Sequence, residues 1–360
     1  MQVDVATVEK YKTQAPELLD AITSGEAEHI MRRDPVTDHC VKFESGWCGI
    51  HKKHGSDFLG DACHFFPRVT RNIGDTTLMT ATLSCPEVTR LIMEDSTPFV
   101  FEESDIDRLP NSLKDYLPHE ISAQDALMLH RTFIHAALDD GYSAEHNMMR
   151  IGSVARSLKM LPVMAWPKAV EFYFKNAHAR ISKPEMHPAD QFNLLHALCG
   201  LVSASKKTER PRLMQTIADM EKALCATLEW ERRAIHLTPE SEGASQRLST
   251  CYESTYKSSL QPIFKKWIAA QLSVALFPFS GFGESLEDRI SILVVRFAIM
   301  KLAVVSGCVN NEYIQLKDVY RVIQSLSRFL DHLSDPSLTM QICQETGWVR
   351  ESRQAALVYW

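Results

Sequence analysis

Four cysteines, Cys40, Cys48, Cys63 and Cys85, fall in one stretch of a 360-residue chain with the spacing CX7CX14CX21C. Thiolate sulfur is a soft donor, and four thiolates complete a tetrahedral zinc site or hold an iron–sulfur cubane. The spacing is looser than the CXXC pairs of zinc ribbons and ferredoxins, so buried structural thiols stand beside metal binding as a second reading. His39, His51, His54 and His64 flank the cysteines and allow a mixed site. His39 and His64 each adjoin a cysteine, however, and neighbours in sequence rarely both reach one metal, which favours surface or outer-sphere roles for most of the four. Arg68 and Arg71 could grip a carboxylate of a substrate or cofactor through the guanidinium fork, or serve in ordinary surface ion pairs.

The surroundings of the last cysteine add a physical argument. In Leu83-Ser84-Cys85-Pro86-Glu87, proline suits the first position of a helix and Glu87 its first turn, so a helix is expected from Pro86 to about Met93. Cys85 then sits where backbone N–H groups and the helix dipole favour an anion, either as a metal ligand or as a nucleophile. The bland reading is a cap that packs.

The elements needed to position these groups follow from pattern. Residues 5–33 read as helix, with Val8, Tyr11, Leu18, Leu19 and Ile22 near a 3.6-residue period. Residues 34–85 are punctuated by glycines and read as short irregular elements held by ligands. Residues 95–121 are acidic and contain prolines, and read as a linker. Beyond it, helices are expected over 122–140, 143–160, 166–180, 188–205, 211–235, 245–277, 285–306, 315–333 and 337–346. Ser122 with Asp125, and Ser285 with Asp288, resemble capping boxes with Asp in the acidic position. The expectation is a mainly α protein: an N-terminal cysteine-ligated module of short irregular elements (1–94), an acidic linker (95–121) and a larger multi-helical domain (122–360).

Composition narrows the function. A hydrophobic content of 45% fills a sizeable core, and a net charge of −6 argues against a general nucleic-acid binder. Nine cysteines, an odd number, and an N-terminus without a secretory pattern point to a reducing cytoplasm. The most apolar stretch, Ile290 to Val305, is interrupted by Arg296 and Lys301, which argues against a membrane span. Cys199, Cys225, Cys251, Cys308 and Cys343 are scattered and read as core packing. No strand-borne GXGXXG, Walker loop, GXSXG elbow or CXXXCXXC is present.

The order Val3-Asp4 to Tyr11-Lys12, Cys40, Gly46-Trp47-Cys48-Gly49-Ile50, Gly55, Cys63 to Pro67-Arg68, and Leu83-Ser84-Cys85-Pro86-Glu87 resembles the flagellin lysine N-methylase family. Leu276-Phe277-Pro278-Phe279 and Arg289 to Arg296-Phe297-Ala298 extend the likeness into the C-terminal part. The resemblance implies methyl transfer from S-adenosylmethionine to flagellin lysines, with an iron–sulfur cluster of the 4Fe-4S type on Cys40, Cys48, Cys63 and Cys85. Arg68 and Glu87 become cofactor-binding candidates. Glu87 and Tyr256 are candidates, on residue type alone, for the base that frees the target amine. Family members usually carry a further cysteine group, including a Cys-Cys pair, upstream of the segment matched by Met1 to Val5. Its absence makes these four cysteines the expected remainder of a larger site. The competing expectation is a non-catalytic protein stapled by zinc or a cluster. The expected partner is flagellin as protein substrate, with no nucleic acid and no membrane.

Overall fold

The computed structural model describes residues 2–360 except 25–28, 36–38, 98, 106–107, 111–112, 178–180, 182–183, 186, 188, 206–210, 233, 312–314, 334 and 336. By packing, the chain divides into two units. The first comprises Met1–Asn72, Thr77–Ala81 and Glu102–Asp115, and the second Ile73–Thr76, Thr82–Phe101 and Tyr116–Trp360.

The N-terminal elements are β1 (Gln2–Val3), α1 (Val5–Gln14), β2 (Ile22–Ser24), β3 (His29–Met31), β4 (Phe43–Glu44), β5 (Trp47–Cys48), α2 (Gly49–His54), α3 (Asp61–Phe65), β6 (Arg68–Ile73) and β7 (Thr76–Ala81). The single helix expected over 5–33 is not formed. Asp4 caps α1 by accepting from the Thr7 N–H at 2.9 Å, but the helix stops at Gln14. Ala15 leaves helical space, at φ −154° and ψ 61°, because the following Pro16 ring crowds a helical residue before it. Pro16–Ala21 then winds a 3-10 turn, and the chain returns as strands in the sheet order β1-β3-β2. The turn between β4 and β5 places Ser45 and Gly46 at φ 50° and 85°, the left-handed pair that a tight hairpin requires.

This unit has its own apolar core of Val3, Val8, Tyr11, Ala15, Leu18, Ala21, Met31 and Ile50. The Tyr11 hydroxyl donates to the Phe58 carbonyl at 2.6 Å, which satisfies the polar end of the largest core side chain. The mainly α expectation holds for the chain, but among the described residues the expected cysteine-ligated module is not formed. Among the described residues no group of three or more His, Cys, Asp or Glu is placed to hold a metal ion.

The second unit carries α4 (Pro86–Glu94), α5 (Ala123–Leu138), α6 (Ala144–Lys159), α7 (Trp166–Lys175), α8 (Asp190–Ala204), α9 (Pro211–Leu224), β8 (Ala226–Glu229), β9 (Ala234–Leu237), α10 (Ala244–Cys251), α11 (Lys257–Ala275), α12 (Leu286–Asn310), α13 (Leu316–Leu330), α14 (Ser337–Glu345) and α15 (Glu351–Tyr359). Residues 178–180 and 188, which two expected helices include, lie outside the described residues. The long helix expected over 211–235 ends early. Cys225 turns to φ 50°, and β8 then alternates buried Ala226 and Leu228 with exposed Thr227 in a hairpin with β9. The helix expected over 245–277 is divided by a π-helical segment, Tyr252–Tyr256, between α10 and α11.

Helix α12 is the axis of this unit, packed by α6, α8, α9, α13, α14 and α15. Ser285 starts it with a full capping box: its hydroxyl accepts from the Asp288 N–H at 3.1 Å while the Asp288 carboxylate accepts from the Ser285 N–H at 3.0 Å. Ser122 likewise accepts from the Asp125 N–H at 3.1 Å to start α5. Among the described residues α12 is the one helix long and apolar enough to cross a membrane, and 89% of its most apolar window is buried inside the protein. Its two interior cations are paired: Arg296 reaches Asp331 at 3.4 Å and Lys301 reaches Glu145 at 3.1 Å.

Candidate functional site

The structure accounts for the four clustered cysteines in two ways. Cys40 bridges Arg33, Cys48 closes β5 and Cys63 lies in α3, all in the first unit, where Cys40 and Cys48 pack against the apolar core. Burial, and then the proximity of Cys40 and Cys48, pushes the Cys63 thiol up to about 11, and the same three sulfurs add to the burial that raises Tyr11. A thiol held that high stays protonated at neutral pH and behaves as a small apolar group. Cys85 belongs to the second unit and caps α4 without a side-chain hydrogen bond. Its segment is fixed by protein contacts, since Gln324 donates to the Ser84 carbonyl at 2.7 Å and Thr82 to Asp331 at 3.2 Å. The iron–sulfur cluster, the zinc alternative and the metal-stapled protein expected from spacing are therefore overturned: the thiols share a neighbourhood in part, but no metal-holding group assembles among the described residues.

The flanking residues are occupied locally. His54 packs on Phe58 and lies 3.5 Å from Glu17, and His39 packs on Phe43. The Arg68 guanidinium donates to the His64 carbonyl at 2.9 Å and spreads over Phe65. Glu87 is exposed, its carboxyl held below the usual range by hydrogen bonds from Arg90 at 2.6 and 3.0 Å. The Tyr256 hydroxyl is buried and donates to the Cys308 carbonyl at 3.1 Å, which gives it a structural partner.

A cleft of about 570 Å³ opens among α9, α12 and α13, within the size range of small-molecule sites. Each helix contributes one face by ordinary helical spacing: Arg212, Gln215, Thr216 and Asp219 from α9, and Val304, Gly307, Cys308 and Asn311 along α12. From α13 and the residue before it come Gln315, Asp318, Val319, Arg321 and Val322. Side chains hold the rim in place. Gln215 donates to Asp219 at 3.1 Å, Asn310 donates to the Asp219 carbonyl at 2.8 Å, and Arg321 pairs with Asp318 at 2.6 Å. The floor is apolar, and burial, with Cys251 nearby, pushes the Cys308 thiol up to about 12, so it stays neutral. Sequence reading missed this cleft because no two of its helices adjoin in a motif. The available signal was Gly307, a glycine inside an otherwise apolar helix.

Beneath the same helix lies a buried polar network. Glu145 accepts from the Tyr252 hydroxyl at 2.5 Å and from Gln261 at 2.8 Å, and pairs with Lys301. Lys301 also donates to the carbonyls of Val358 and Trp360 at 2.8 and 3.3 Å. Burial opposes ionisation of Glu145, but Lys301, Tyr252 and Gln261 overcome it and hold the carboxyl down at about 2. This network fastens the end of α15 to α12.

Residues 130–348 match the FliB lysine N-methylase C-terminal domain. The chain belongs to the FliB lysine N-methylase family. The matched FliB segment contains every residue lining the α9–α12–α13 cleft, together with Glu145, Tyr252, Gln261 and Lys301. It begins after Cys85, Arg68 and Glu87, so the FliB match covers residues of the helical unit and none of Cys40, Cys48, Cys63 and Cys85. No curated protein and no solved structure matches the chain.

Proposed function

We propose that the chain is a protein-lysine methyltransferase that moves methyl groups from S-adenosylmethionine to lysine side chains of flagellin. Membership of the FliB lysine N-methylase family carries this reading. The α9–α12–α13 cleft supports it as the place of reaction, because it lies wholly within the matched residues and joins an apolar floor to a charged rim. The chemistry asks for both. A lysine ammonium is drawn by the Asp318 carboxylate at the rim, but the nitrogen attacks only when neutral, its proton passing to solvent. Transfer toward an apolar floor disfavours the charged form and lowers the lysine pKa. The amine lone pair then forms the C–N bond as the methyl–sulfur bond breaks, and the sulfonium leaves as a neutral thioether.

The deciding experiment is incubation of the full chain with flagellin and S-adenosylmethionine, followed by peptide mass spectrometry. Each methyl transferred adds the mass of one CH2 to a lysine-containing peptide. Flagellin whose lysines stay unmodified at every enzyme concentration would sink the reading.

A further inference from the structure

Gly307 lies inside the 25-residue helix α12, where glycine is the least favourable residue other than proline. Close packing does not explain it. Beyond its chain neighbours and the adjoining backbone of α12, a Cβ built at Gly307 meets no heavy atom of the described residues within 4 Å, whereas one at Gly152, inside α6, would come within 3.2 Å of Arg156 and 3.4 Å of Ile290. Gly307 instead lines the cleft, between Val304 and Cys308 on the same helix and facing Val319 and Val322 of α13. The missing side chain leaves an open bay over the helix backbone, among the apolar lining residues Val304, Cys308, Val319 and Val322.

The rim above this bay matches the rest of a particular ligand. Gln215, Asn311 and Gln315 bring side-chain amides to the cleft. Gln215 donates one N–H to Asp219 and Asn311 one to the Gly307 carbonyl, and these two amides each keep a second N–H and an acceptor oxygen of the kind that ring edges and ribose hydroxyls require. Arg212 carries no ion pair among the described residues and can take a carboxylate, while Asp219 can take an ammonium. A ring, a diol and a zwitterion together describe an adenosyl amino acid. We propose that the α9–α12–α13 cleft is the methyl-donor seat, binding the adenosyl amino acid with its base in the bay that Gly307 leaves open. This rests on the methyltransferase reading and adds to it the site of the donor and a specificity-determining residue.

The test uses the full chain and S-adenosylhomocysteine, titrated calorimetrically against wild type, Gly307→Ala and Gly307→Leu, with thermal melts of each. Wild type should bind. The leucine variant should weaken binding about tenfold or more, the alanine variant less, and neither should melt below wild type, since both residues suit a helix better than glycine does. Adenosine should compete better than methionine. If the leucine variant does not fold, the alanine variant and the competition order decide the matter. A wild-type Kd retained in the substituted proteins, or no binding by wild type, overturns the assignment. The two readings separate cleanly. Flagellin methylated equally by wild type and Gly307→Leu removes the seat and leaves the enzyme. Binding lost in Gly307→Leu, with flagellin unmethylated by wild type, removes the enzyme and leaves the seat.

Discussion

Lys301 Nζ lies 3.1 Å from Glu145 Oε1, with both side chains all but sealed from solvent at 1% and 4% exposure. The ammonium has further oxygens in the Val358 and Trp360 carbonyls, and the rings of Tyr252 and Trp360 lie at 4.4 and 4.6 Å. Removing one partner strands the other charge in the core. Lys301→Met is expected to cost about 3–5 kcal/mol, while Lys301→Met with Glu145→Gln should recover much of that loss. Denaturant titration of the single and double variants checks it, and equal losses in both would show that the charge pairing is not what holds α15.

The same pair sets an acid limit on stability. Glu145 is held at about 2, below its ordinary value of 4.5, so the network's contribution is fully present above pH 4.5 and drains away as pH falls toward 2. The shift corresponds to about 3 kcal/mol. Stability measured from pH 5 to 2 should fall less steeply in Glu145→Gln than in wild type, and parallel curves would contradict the assignment.

Gln324 holds the Ser-Cys-Pro-Glu segment through a buried hydrogen bond to the Ser84 carbonyl. Gln324→Ala leaves that carbonyl without its donor, at a cost of about 1–3 kcal/mol. Local opening should then expose Cys85, and alkylation of this thiol by iodoacetamide should accelerate relative to wild type. An unchanged Cys85 rate, followed by peptide mapping, would show that other contacts suffice.

Chelation addresses the correction on the cysteines. A domain stapled by zinc or a cluster unfolds when its metal is removed. The first unit instead has a core around Tyr11, so prolonged treatment with a strong chelator should leave the melting temperature and circular dichroism unchanged. Metal released in stoichiometric amounts together with a drop in melting temperature would restore a structural metal.

What could be read from the sequence was local. Ser285 with Asp288 and Pro86 after Cys85 marked helix starts that the structure places there, because capping chemistry involves residues within one turn. The Pro16 break is equally local, but the apolar period through Leu18, Leu19 and Ile22, which the 3-10 turn and β2 also accommodate, masks it. The cysteines failed for a different reason. Spacing cannot say whether sulfurs separated by loops converge as ligands, and here Cys85 is anchored by α13 while Cys40, Cys48 and Cys63 surround Tyr11. The cleft was invisible for the same cause, since Arg212 and Arg321 come to line one cleft through the packing of α9 and α13 beside α12.

Gly307 makes the last prediction one of opposite signs. If its only role were structural, replacing it would disturb α12. With open space over its Cα among the described residues, Gly307→Ala should instead stabilise the helical unit by up to about 1 kcal/mol, the helix-propensity difference between the two residues. An increase in the denaturation midpoint without a change in slope is the expected result. A destabilised alanine variant would mean that the backbone at Gly307 departs from helical geometry or is tightly covered, and the apolar bay in the cleft floor would lose its basis.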